Sequence, residues 1–133
     1  MIQRIQSIYL LIVSFLTGIL SGVFEDEWLS ESHYELLGIA IVSCLSALGA
    51  IFLFKNRKAQ LKVNGLNIFF NVIIVVLSIY YLLNLPGGMQ IPEKGIEFYV
   101  TVLMGILAIV FLILANKAIK KDEELVKSVD RIR

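Results

Sequence analysis

The chain has 133 residues, enough for one domain, and its net charge of +1 gives no reason to expect a nucleic-acid partner. Apolar residues make up 58% of it without counting glycine, and the mean hydropathy is +0.83, well beyond a soluble domain of this size. Cys44 is the single cysteine and sits inside an apolar run, which excludes a disulfide framework and a cysteine-based metal site.

The apolar residues fall into four runs, 5–24, 36–54, 66–85 and 98–115, none of which contains Asp, Glu, Lys, Arg or His. At about 1.5 Å per residue each spans a hydrocarbon core of about 30 Å as an α-helix. Backbone groups in lipid must be bonded within the segment, and the runs lack the alternation of barrel strands. The expected fold is an all-α membrane protein, four transmembrane helices in an up-down-up-down bundle forming one domain over 1–133. Arg4 before an apolar run also fits the start of a secretory signal; we read the first run as an uncleaved span.

Along the first span Ser7, Ser14, Gly18, Ser21 and Gly22 make a small-residue stripe that includes a Gly18–Gly22 GxxxG pair. Such stripes let helix backbones approach closely in lipid, where apolar side chains alone give little association. The first connection, 25–35, is acidic and carries the only histidine, His33, between Glu31 and Glu35, with Asp26 nearby. One histidine and scattered carboxylates fit a solvated, partner-facing loop better than a metal site. Nothing around Ser30 and His33 suggests an oxyanion hole, so no catalytic residue, metal or cofactor is expected, and the chain is not read as an enzyme.

The second span offers Ser43, Ala47 and Ala50 for packing. The connection 55–65 is basic, and Lys55, Arg57 and Lys58 are candidates for contact with anionic lipid headgroups. In the third span Asn64, Asn67, Asn71 and Ser78 recur at three, four and seven residues, which puts them on one helix face. A carboxamide facing lipid would leave donors and acceptors unbonded, so this face turns toward the bundle or a partner. Interhelical bonding that fixes register is the favoured reading. A path for a polar substrate or headgroup is the alternative, and the cytoplasmic-end placement of Asn67 and Asn71 within the run counts against it.

Pro86, Gly87, Gly88 and Pro92 end the third helix and turn the chain. The fourth span presents Thr101, Gly105, Ala108 and Ala115 as a further seam. The tail, 116–133, reads as a helical extension, with Lys120–Glu124 and Glu123–Lys127 at i,i+4 spacing. Ala118, Leu125, Val129 and Ile132 share one of its faces. Six basic and four acidic residues give it a mixed charge, which favours docking on protein over adsorption to a leaflet.

Eleven of the twelve lysines and arginines flank one side of the spans, and only Lys94 lies on the other. This puts both termini in the cytoplasm. Trp28, Tyr34, Tyr80, Tyr81 and Tyr99 then gather at the outer boundary, as amphipathic rings do, while Tyr9 lies near the inner one. No ionisable group lies within a span, which disfavours ion-coupled transport by this chain alone.

Three stretches together are distinctive: 1–10 (MIQRIQSIYL), 54–62 (FKNRKAQLK) and 121–133 (KDEELVKSVDRIR). In this combination the chain resembles a family of small four-span inner-membrane proteins, typical of Bacteroidota, classified as a domain of unknown function. The resemblance implies four spans and a bacterial inner membrane, and brings no activity or site residues. All three stretches face the cytoplasm in the topology above, which suggests a partner on that side. The expected role is a non-catalytic accessory or scaffold subunit of a larger inner-membrane complex, contacting lipids and other membrane subunits or a second copy of itself. The alternatives are a small lipid- or solute-handling protein with a polar site along the third span, and a signalling or regulatory protein that reads the acidic outer loop.

Overall fold

Residues 57–65 are polar enough to leave lipid, yet apart from Gly65 they carry no helix breaker, and an asparagine precedes them. In a computed structural model of the protein they are helical. The structure describes residues 2–23, 34–84 and 96–132, with side chains for 5–20, 34–84 and 99–132. It contains α1 (Ile2–Val23), α2 (Tyr34–Phe52), α3 (Arg57–Leu83) and α4 (Ile96–Ile132). A 3₁₀ turn, Leu53–Lys55, and Asn56 join α2 to α3. Asn56 caps α3, its Oδ1 accepting from Ala59 N–H at 3.3 Å. The connection expected over 55–65 is therefore only 53–56, because high charge marks a segment as lying outside lipid without making it a loop. Trp28, the acidic loop with Asp26, Glu31 and His33, the 86–88 turn, Pro92, Lys94 and the surroundings of Gly22 lie outside the described residues.

Gly65, exposed inside α3, has nothing beyond its own stretch of helix backbone within 4 Å of where a Cβ would stand. Gly65→Ala should therefore stabilise the fold by about 0.5–1 kcal/mol, through helix propensity alone. A rise in the thermal midpoint in mild detergent is the expected readout, and a fall would mean that α3 is not helical at this point.

Among the described residues no strand occurs, and three segments are long and apolar enough to cross a membrane: Tyr34–Lys55, Arg57–Leu83 and Tyr99–Ile132. α1 is apolar over Ile5–Leu20. Each helix packs on two others, α1 and α3 each against both α2 and α4. The buried positions follow one rule in all four helices, alternating steps of four and three. In α1 they are Gln6, Leu10, Val13, Thr17 and Leu20, with Ser14 buried beside Val13 as the one addition, and in α2 Leu36, Ala40, Ser43, Ala47 and Ala50. In α3 they are Gln60, Asn64, Asn67, Asn71, Ile74 and Ser78. In α4 they are Thr101, Gly105, Ala108, Leu112, Ala115 and Ile119. That 3.5-residue repeat is the seam of a left-handed bundle.

Two apolar clusters fill the interior. One holds Leu10, Val13, Ala47, Ala50, Ala108, Leu112 and Ala115; the other holds Leu20, Leu36, Ala40 and Ile74. Between them along the chain come Ser14, Thr17, Ser43, Asn67 and Asn71, so a polar belt divides the core.

Candidate functional site

The α3 seam is the most polar surface inside the bundle, and its asparagines are fully buried. Asn67, Asn71 and Ser43 of α2 form one network. The Ser43 hydroxyl donates to Asn67 Oδ1, and Asn67 Nδ2 donates to the Ser43 carbonyl at 3.2 Å. Asn71 Nδ2 lies 2.9 Å from Ser43 Oγ and 3.0 Å from Asn67 Oδ1. It also lies 2.9 Å from the Asn67 carbonyl, so one amide group faces three acceptors. One turn lower, Asn64 Nδ2 donates to Asn116 Oδ1 of α4 at 3.0 Å. Ser78, by contrast, turns back to the Ile74 carbonyl at 2.7 Å and ties no helices together.

These bonds link α3 to α2 and to α4 and set its height against both. The face expected from spacing is thus brought together at Asn64, Asn67 and Asn71, with Ser78 left out of the network. Depth differs from the sequence expectation. Asn71 pairs with Ser43, close to the middle of the 36–54 run, and its carbonyl faces Gly105, near the middle of 98–115. The network is therefore deeper than the position of Asn67 and Asn71 in their own run implies, because neighbouring helices are offset along the bundle.

Gln60 and Gln6 extend the polar seam beyond what the apolar runs reveal; both are more than nine-tenths buried. Their place in the four-three repeat was the available signal. Gln6 Nε2, Gln60 Oε1, Asn64 Oδ1 and Asn71 Oδ1 are buried without a hydrogen bond. Cys44 is a free, half-buried thiol whose Sγ lies 3.4 Å from the Ser14 carbonyl.

The glycines divide. A Cβ at Gly18 would stand 3.7 Å from Cys44 Sγ, an ordinary contact. A Cβ at Gly105 would stand 2.6 Å from Val75 Cγ2, so close approach between α3 and α4 depends on glycine there. Gly18 instead borders an apolar groove with Leu11, Ser14, Phe15, Cys44 and Leu48.

At the other end, Lys55, Arg57 and Lys58 line a notch with Phe54, Asn56 and Glu123. Arg57 is committed elsewhere: its Nη2 lies 2.9 Å from Asp122 Oδ2, an ion pair without the alignment of a hydrogen bond. The Lys127 ammonium, bonded to Glu123 at 3.1 Å, holds that carboxyl below its ordinary range. The support this pair gives the helix is present above the ordinary carboxylate range and fades as pH falls through the lowered value. Leu125, Val129 and Ile132 are exposed, Val129 by 60% and Ile132 by 87%.

Among the described residues no three of His, Cys, Asp and Glu are grouped so as to hold a metal. No curated protein and no solved structure matches the chain. A family model described as a domain of unknown function (DUF4293) matches residues 20–132, so the charged connection, the asparagine seam and the helical tail lie together within it. By that match the chain belongs to the DUF4293 family.

Proposed function

We propose that the protein is a non-catalytic accessory or scaffold subunit of a larger complex in a bacterial inner membrane. In this reading the bundle crosses the bilayer four times, up-down-up-down, with both termini and the α4 extension in the cytoplasm. The charge distribution supports the orientation, with eleven cationic side chains on one side of the spans. One observation carries the functional reading: α4 runs past its last buried residue, Ile119, for about 20 Å as unbroken helix bearing exposed Leu125, Val129 and Ile132. A stiff, apolar-striped arm is costly to keep in water and is suited to holding another protein.

Extraction in a mild detergent, followed by sizing and mass spectrometry, tests the reading. A defined stoichiometric complex is expected; recovery only as a free monomer under several gentle conditions would refute it. A second reading, a site for a small polar solute, draws on the unbonded oxygens of Gln60, Asn64 and Asn71. It predicts a solute that raises the melting temperature of the native protein but not of an Asn64→Leu variant.

A further inference from the structure

The buried positions of α4 advance by four and three from Thr101 to Ile119. Continued, the same steps fall on Asp122, Val126 and Val129. On α3 the repeat run backwards from Gln60 falls on Arg57, and Arg57 meets Asp122 in the ion pair already described. That pair is the last layer of the bundle. Beyond it the α4 seam goes on with Val126 and Val129, flanked by Leu125 and Ile132, and all four side chains are exposed. The seam outlasts the helices that cover it.

The direction of this stripe limits what can cover it. α4 has no proline and no glycine after Gly105, so it continues along its own axis away from the bundle. It cannot lay the stripe flat on a leaflet. The stripe faces the side on which α4 meets α1 and α3, so it overhangs the end of its own bundle. Two copies side by side in one membrane would each overhang themselves, and their stripes would not meet. The occupant must come from the cytoplasm and sit on top of the bundle.

Charge gives its polarity. At the foot of the stripe lies the notch of Lys55, Arg57 and Lys58, whose one acidic wall, Glu123, is already paired with Lys127. Higher up, Asp130 is balanced by the neighbouring Arg131, so the polarity rests on the unpaired Lys55 and Lys58 at the foot. The geometry points to a docking site for an amphipathic helix of a cytoplasmic partner, lying antiparallel to α4, with its apolar face on Val126 and Val129. Its acidic C-terminal end sits over Lys55 and Lys58. The negative end of that helix's dipole then meets the cationic foot. The fit continues the repeat that packs the bundle itself. This names the kind of partner for the accessory role proposed above and rests on that role.

The probe is a pair of helix-forming peptides of about four turns, alike on a Leu/Val face, one ending in four glutamates and the other in four lysines. Each is titrated against the full chain in nanodiscs of neutral lipid. The glutamate-ended peptide should bind at least tenfold more tightly. Val126→Asp with Val129→Asp, both exposed, should weaken it at least tenfold without moving the melting temperature. Lys55→Glu with Lys58→Glu should reverse the preference between peptides, and Glu124→Lys, which faces away from the stripe, should change binding little.

Equal binding of both peptides, or binding indifferent to Val126→Asp/Val129→Asp, overturns the site. So does full protection of Val129→Cys, on a Cys44→Ala background, from a water-soluble maleimide with no peptide present, either when two copies share one nanodisc or when the nanodisc lipid is anionic. A native complex that survives Val126→Asp/Val129→Asp leaves the accessory role standing and removes this site. A chain recovered only as monomer removes the role, while the peptide titration still decides the site.

Discussion

Gly105→Val is expected to be the most damaging single substitution in the membrane-embedded part of the bundle. Even the first added carbon would stand 2.6 Å from Val75 Cγ2, with the Asn71 carbonyl 3.9 Å away. Val75 cannot swing aside cheaply, since a β-branched side chain in a helix holds essentially one rotamer. α3 must therefore back away from α4, which strains the Asn64–Asn116 bond and the Arg57–Asp122 pair farther along the same interface. Overpacking of this kind costs about 1–3 kcal/mol, and valine should reach the top of that range where alanine stays lower. Val75→Ala should restore much of the loss in Gly105→Ala, although alone it opens a small cavity. Gly18→Ala is the control: its nearest neighbour is Cys44 Sγ at 3.7 Å, and its thermal midpoint should stay close to wild type. Equal losses at Gly18 and Gly105 would mean that the close approach has been assigned to the wrong interface.

Asn67→Leu comes second. The change keeps shape but leaves the Ser43 hydroxyl without its acceptor and takes Oδ1 from the Asn71 amide. A buried group left unbonded costs about 1–3 kcal/mol in proteins generally. Interhelical bonds in bilayers average about 0.6 kcal/mol and reach about 1.7. Because two bonds and a shared acceptor go together here, we expect about 1–2 kcal/mol. Ser43→Ala combined with Asn67→Leu should cost less than the sum of the two, with a coupling of at least about 0.5 kcal/mol. Strict additivity in that cycle would dissolve the network into independent contacts.

The inward turn of Asn64, Asn67 and Asn71 was legible because hydrocarbon offers a carboxamide nothing to bond. What each one bonds to was not. Ser43 looked only like a small packing residue, and Asn116 like the first residue of a tail, since interhelical register carries no signal within either helix alone. Gln6 and Gln60 escaped notice because they lie at or beyond the ends of the apolar runs, although the four-three repeat passes through both. The GxxxG spacing drew attention to Gly18, whereas steric need falls on Gly105, where a lone glycine faces a β-branched neighbour. Charge over 55–65 marked a segment polar enough to leave lipid and hid the helix that continues through it. The tail was legible as helix from its i,i+4 pairs, and its end layer, Arg57 with Asp122, was not, because that pair joins residues far apart in sequence.

Labelling of single cysteines in intact cells tests the proposed four-span orientation most directly. On a Cys44→Ala background, Lys94→Cys, Lys58→Cys and Ser128→Cys are exposed in turn to a maleimide that does not cross the inner membrane. Lys94→Cys should label in cells whose outer barrier has been permeabilised, whereas Lys58→Cys and Ser128→Cys should label only after lysis. Labelling of Ser128→Cys from outside, or protection of Lys94→Cys until lysis, would contradict a bundle that crosses four times and keeps its helical arm in the cytoplasm.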